Sequence, residues 1–307
     1  MSSLSAIPQP ALADSSVNFD SPEFAAKYTY TGDDLGNTYS PTATKFRVWA
    51  PTAQSVNLLT FARPDTPNGD GTATPMRSDV NGTWVATLSG DQNGLIYSYQ
   101  VGLGSITNIA NDPYARASTA NGGHSVVADL AKSDPNGFRD QARPPFSGNL
   151  SDASIYELHV RDFSIDESSG ISPKNRGKYL AFTEQNTTTP DGKQATGISY
   201  IKSLGVSHVE LLPVFDFASV NEWDPTFNWG YDPDNYNVPE GSYSSNPDDP
   251  YTRITELKEA IQSLHANGLR VNMDVVYNHV SNPATFTEEQ IVPGYFFRHL
   301  SEIGRAS

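Results

Sequence analysis

Between residues 153 and 279 the sequence alternates strand-like and helix-like segments, and that order leaves few topologies open. "ASIYELHVRDF" (153–163) reads as a strand with Glu157, His159 and Arg161 on one face and Tyr156, Leu158 and Val160 on the other. "GISYIKSLGVSHVELLPV" (197–214) runs from a short helix into a second strand. "YTRITELKEAIQSLHANG" (251–268) carries Ile254, Leu257, Ile261 and Leu264 on one helical stripe, with Gly268 as a stop, and "LRVNMDVVYNH" (269–279) gives a third strand. Strands separated by helices imply parallel neighbours joined by right-handed crossovers. The third strand discriminates further, because Val271, Met273 and Val275 face one way and Asn272, Asp274 and Asn278 the other. A doubly wound sheet is apolar on both faces, whereas a barrel tolerates polar groups pointing inward near its C-terminal strand ends. The expectation is therefore the first three or so units of a (β/α)8 barrel, incomplete, over residues 150–307.

Upstream the rhythm differs. "TKFRVWAP" (44–51), "SVNLLTF" (55–61), "GTWVATL" (82–88) and "GLIYSYQVGL" (94–103) are short β-type runs broken by "NGDG", "DVNG" and "DQNG". They predict an antiparallel β-sandwich over residues 28–143, giving a multidomain β plus α/β chain. Trp49, Trp84 and Tyr99 alternate like core residues, with surface sugar binding as the other reading. The Pro-rich stretch 140–152 is expected to be a boundary, and the Ser-, Ala- and Pro-rich residues 1–27 a disordered leader.

The net charge of −15 opposes binding to nucleic acid or an anionic membrane and suits a neutral ligand. With no cysteine in the 307 residues, disulfides, thiolate nucleophiles and Cys-bound zinc are excluded. No apolar run reaches the ~20 residues that span a bilayer. The N-terminus lacks the charged and apolar regions of a signal peptide, so a cytoplasmic location is expected, with secretion left open.

The stretch "TFNWGYDPDNYNVPEGSYSSNP" (226–247) sets Phe227, Trp229, Tyr231, Tyr236 and Tyr243 among Asn, Asp, Gly and Pro. "DVVYNH" (274–279) resembles the first signature segment of the α-amylase superfamily of glycoside hydrolases, and "FNWGYDP" (227–233) the motif of type I pullulanases. "FRVWAPTA" (46–53) and "NDPYA" (111–115) resemble the β-sandwich module that precedes the barrel in those enzymes. "SIYELHVRDFS" (154–164) and "HVELLPVFDFASVNE" (208–222) resemble the family's first two barrel strands. This likeness implies that Tyr231 stacks on the glucose just on the non-reducing side of the scissile bond. It implies that His279 donates to that sugar, and that Asp274 and Asn278 hold the strand end in shape. Trp229 is a sugar contact or a loop core residue, and Asp232 contacts glucose or caps its turn. His159 and His208 are expected to be structural.

The same resemblance implies hydrolysis of α-1,6 branch linkages in pullulan, limit dextrins and glycogen- or starch-type glucans. Retaining glycosidases use two carboxylates, one as nucleophile and one as acid/base. The family's fourth-strand segment would read like "GFRFD", and no such segment occurs here. The expected catalytic residues in this chain are therefore none. Its expected partners are an α-glucan and the missing C-terminal half of its barrel, and the chain alone is expected to be inactive. An isoamylase-type debranching enzyme is the neighbouring option, and a non-catalytic α-glucan-binding protein or decayed gene the alternative. No metal and no cofactor is required, and calcium enters on family grounds only.

Overall fold

The computed structural model describes residues 17–297. The chain divides into two compact units. Of the described residues, the first comprises 17–116, 123–127 and 277–297, and the second 117–122 and 128–276.

The first unit opens with helix α1 (Pro22–Tyr28), where residues up to 27 were expected to be disordered. Ser21 explains the difference at one end: its side chain accepts from the Phe24 N–H, and Pro22 at the first helical position has no N–H to satisfy. Phe24 explains it at the other, since its buried ring packs against Phe19, Tyr28, Trp49 and Tyr295. The rest of the expected leader, residues 1–16, lies outside the described residues.

Nine strands follow: β1 (Gly36–Ser40), β2 (Ala43–Trp49), β3 (Ser55–Phe61), β4 (Thr72–Pro75), β5 (Arg77–Ser78), β6 (Thr83–Ser89), β7 (Ile96–Leu103), β8 (Ile106–Ala110) and β9 (Ser125–Val126). They form two antiparallel sheets, β1-β2-β6-β5 and β4-β3-β7-β8, with β9 paired to β7. Period-two alternation sends Phe46 and Val48 from one sheet, and Val56, Leu58, Tyr97, Tyr99 and Val101 from the other, into one core. The sandwich read from the sequence is thus formed. Tyr99 is fully buried, while the Trp49 and Trp84 indoles donate to the backbone oxygens of Tyr28 and Ala50.

In the second unit a parallel sheet runs in the order β10-β11-β14, from β10 (Ile155–Leu158), β11 (His208–Leu211) and β14 (Arg270–Met273). Helix α2 (Gly197–Ser203) precedes β11, and the antiparallel pair β12 (Phe215–Phe217) and β13 (Pro233–Pro239) follows it. Helix α3 (Pro250–Ala266) then leads to β14; the Asp249 side chain caps it by accepting from the Tyr251 N–H. Leu158, Val209, Leu211, Ile198, Ile201, Ala260 and Leu264 form the core between sheet and helices. Val271 and Val275 pack on that core as expected, but Met273 is 50% exposed, because among the described residues no strand pairs with the outer side of β14. β10 likewise pairs on one side only.

The expected boundary at 140–152 needs correction, since residues 128–141 belong to the second unit. Helix α3 holds them there: Lys258 pairs with Asp134 at 2.6 Å, the Gln262 amide donates to the Asn136 oxygen, and the Tyr251 hydroxyl accepts from the Asp129 N–H. The expected domain 150–307 is also too long. From Tyr277 the chain belongs to the first unit, where α4 (Thr287–Ile291) and Val292 seal the sandwich core and the Asn108 amide donates to the Gln290 oxygen.

Candidate functional site

The aromatic loop between β12 and β13 lies at the C-terminal ends of the parallel strands. Its neck is closed by the Ala218 N–H donating to the Asp232 oxygen at 2.9 Å, so Asp232 serves the turn through its backbone. Inside the loop the Asn228 amide donates to Ala218 O, and its side-chain oxygen accepts from the Gly230 N–H. Gly230 has φ +86°, and a Cβ there would stand 3.1 Å from Pro213, so any other residue would be strained. This tight geometry turns three rings outward: Phe227, Trp229 and Tyr231 are 41%, 60% and 36% exposed. Trp229 is therefore not a loop core residue. The other two rings of the stretch pack inward, Tyr236 against Phe215 and Tyr243 into the sheet–helix core.

Tyr231 is fixed at its far end. Its hydroxyl donates to Asp274 Oδ2 at 2.6 Å, and the Asp274 N–H donates to Leu211 O at 3.0 Å, continuing the β14 ladder. Burial, the Asp274 hydrogen bond and the charges of Glu157 and Glu210 all push the Tyr231 phenol above its ordinary range, so it stays a protonated donor. Glu157, Glu210 and Asn272 stand in one cross-strand row, with Asn272 donating to Glu210 at 3.4 Å, as the polar inner face required. The structure thus brings Tyr231 and Asp274 together. Asn278 and His279 are exposed and belong to the first unit. His208 is buried beside Ser207 and Phe146, and His159 is 7% exposed, both held by hydrogen bonds or ring contacts as expected of structural residues.

A cluster that sequence reasoning missed carries the loop from below. Arg253 on α3 is fully buried and forms a two-pronged ion pair with Glu222, at 2.9 and 2.7 Å. Asp216 lies 3.5 Å from the same guanidinium and accepts from Asn235 at 2.6 Å. Glu240 accepts from the backbone N–H groups of Phe217 and Ser242. Burial raises Asp216 well above the carboxylate range and Glu240 to about 7, the Glu222 charge adding to both. Asp216, Glu222 and Glu240 have metal-ligand spacing, but the Arg253 guanidinium already pairs with two of them, Glu222 and Asp216, and supplies their cation. The available signal was Arg253 itself, one residue before the apolar stripe of α3.

Two family models match: carbohydrate-binding module 48 (isoamylase N-terminal domain) over residues 34–115, and the alpha amylase catalytic domain over residues 195–293. A pullulanase of Bacillus subtilis is 45% identical over 90% of this chain, which spans 37% of that protein. The chloroplastic pullulanase 1 of Arabidopsis thaliana is 33% identical over 90% of the chain, which spans 32% of it. The crystal structure of a Paenibacillus barengoltzii pullulanase, complexed with maltohexaose and alpha-cyclodextrin, superposes with a TM-score of 0.90 and 44% identity, over 96% of this chain and 46% of that one. The chain thus spans less than half the length of these relatives. The order of the two modules, the three parallel strands and the aromatic loop agree with these matches: the chain is similar to the N-terminal part of pullulanases, a carbohydrate-binding module 48 followed by the start of an alpha amylase catalytic domain.

Proposed function

We propose that this chain supplies the glucan-binding part of a retaining glycoside hydrolase that cleaves α-1,6 branch linkages in pullulan, limit dextrins and glycogen- or starch-type glucans. The observation that carries the reading is Tyr231, an outward ring locked by its own hydroxyl to Asp274 at the end of β14. A sugar's C–H face lies on such a ring without displacing its hydrogen bond, and the neighbouring carboxylates and amides meet sugar hydroxyls. Trp229 extends the aromatic surface, and Asp232 shapes its turn. Nucleophile and acid/base come from βα units beyond the three parallel strands described here, which are also the chain's protein partner. No metal is needed for these roles.

The match of residues 34–115 to a carbohydrate-binding module favours a second reading, in which the sandwich alone binds α-glucan. Calorimetric titration of the chain with maltotriose separates the two. Loss of binding in Tyr231→Ala supports the barrel site. Undiminished binding in that variant sinks it and supports the sandwich.

A further inference from the structure

We propose that His159, at the turn after β10, is the positioning residue that sets the aromatic loop, an inference that rests on the glucan-binding reading above. Two contacts fix its tautomer. The Asp162 backbone N–H donates to Nδ1 at 3.2 Å, so Nδ1 carries no proton. Nε2 lies 2.8 Å from the Asn228 carbonyl oxygen, which only accepts, so Nε2 bears the hydrogen. The Tyr243 hydroxyl sits 3.0 Å from the same nitrogen. Nδ1 thus accepts and Nε2 donates, its hydrogen directed at the Asn228 oxygen with the Tyr243 hydroxyl oxygen beside it, and Nε2 ties the first strand of the sheet to the middle of the loop that carries Tyr231.

The rings repeat the connection. Tyr243, 3% exposed and part of the core, lies edge-on to His159 at 5.7 Å; His159 lies tilted over Phe227 at 5.0 Å; and Phe227 meets Trp229 edge-on at 5.1 Å. A continuous row of four rings therefore runs from the core to the exposed Trp229. Such offset and edge-on pairs are individually modest, but each has a preferred geometry, so the row specifies where the outer ring stands. Asn228 is the shared joint, since its side chain fixes the loop internally while its carbonyl oxygen accepts the hydrogen bond from His159 Nε2. His159 touches no sugar in this scheme; it acts through Asn228 and Phe227.

Two measurements on the full chain test this. The two-bond proton–nitrogen spectrum of the imidazoles, with His159 assigned by its disappearance in His159→Gln, is expected to show the Nε2–H tautomer. An Nδ1–H or averaging ring overturns the proposal, whether or not sugar binds. Maltotriose affinity is then compared in wild type, His159→Gln and His159→Leu. Glutamine keeps a donor near the Nε2 position, so it is expected to bind within about threefold of wild type, whereas leucine falls at least tenfold although both melt at similar temperatures. Equal affinity of the leucine variant and wild type, or equal losses in both variants, overturns the positioning role. Failure of wild type to bind maltotriose sinks the glucan reading alone, and the tautomer still decides the role of His159.

Discussion

Tyr231 combines an exposed ring with a tethered hydroxyl, and the two parts separate by substitution. Tyr231→Phe keeps the ring and is expected to hold maltotriose within a few-fold of wild type. Tyr231→Ala is expected to lose at least tenfold, about 1.4 kcal/mol, by calorimetric titration. Arg253 has a different role. Arg253→Met leaves Glu222 and Asp216 buried without their cation and is expected to cost about 3–5 kcal/mol in urea unfolding of the chain. Asp112, buried in the sandwich, accepts from the hydroxyls of Tyr97 and Tyr99 at 2.6 and 3.1 Å, and burial lifts its carboxyl from 3.8 to about 6. A raised folded value means the proton binds more tightly in the folded chain. This stabilisation is present below pH 3.8 and is lost as pH rises through about 6. The difference amounts to about 3 kcal/mol. Asp112→Asn is expected to flatten the fall in melting temperature between pH 4 and 6.5; an unchanged slope refutes the assignment. At this scale the sequence exposed Tyr231 and Asp274 because each sits in a short contiguous motif. It hid Arg253, because its partners Glu222 and Asp216 lie 31 and 37 positions away.

Secondary structure followed local pattern closely in the sandwich and loosely in the parallel sheet. β3 spans the run 55–61 as read, because its antiparallel ladder to β7 pairs every residue from Ser55 to Phe61, with β4 pairing Asn57 to Thr60 on the other side. β10 and β14 hold four residues each, where eleven-residue strands were expected. After Leu158 the backbone turns, with the Phe163 N–H donating to the His159 oxygen, and the apolar Val160 is buried in the turn rather than on a ladder. Alternation cannot distinguish a strand from a turn whose apolar residue happens to point inward. Helix α4 is the clearest case of placement decided elsewhere. Five residues of ordinary helix-former sequence join the sandwich core through Ile291, which is 1% exposed. Ile291→Ala is therefore expected to lower the stability of the first unit by about 2–5 kcal/mol, read from the near-ultraviolet signal of its aromatic core. No change would mean the helix is not anchored there.

For the molecule as a whole, the described parallel sheet has two strands with one unpaired side each, and no helix among the described residues is long and apolar enough to cross a membrane. The site has rings and polar supports but lacks the fourth-strand segment that would bring a nucleophile. Purified chain is accordingly expected to release no maltotriose from pullulan while still binding maltotriose; release above buffer would refute this. The sequence by itself determined the order of a β-sandwich and parallel βα units, the inward polar face of the third strand, and the ring-rich loop. All of these are periodic or contiguous signals set by backbone geometry. Only the tertiary structure decided that residues 128–141 follow helix α3, that the chain after Tyr277 returns to the sandwich, and that Arg253 and His159 brace the loop. Those outcomes depend on which buried charge or apolar side chain finds a partner far along the chain, and no local pattern records that.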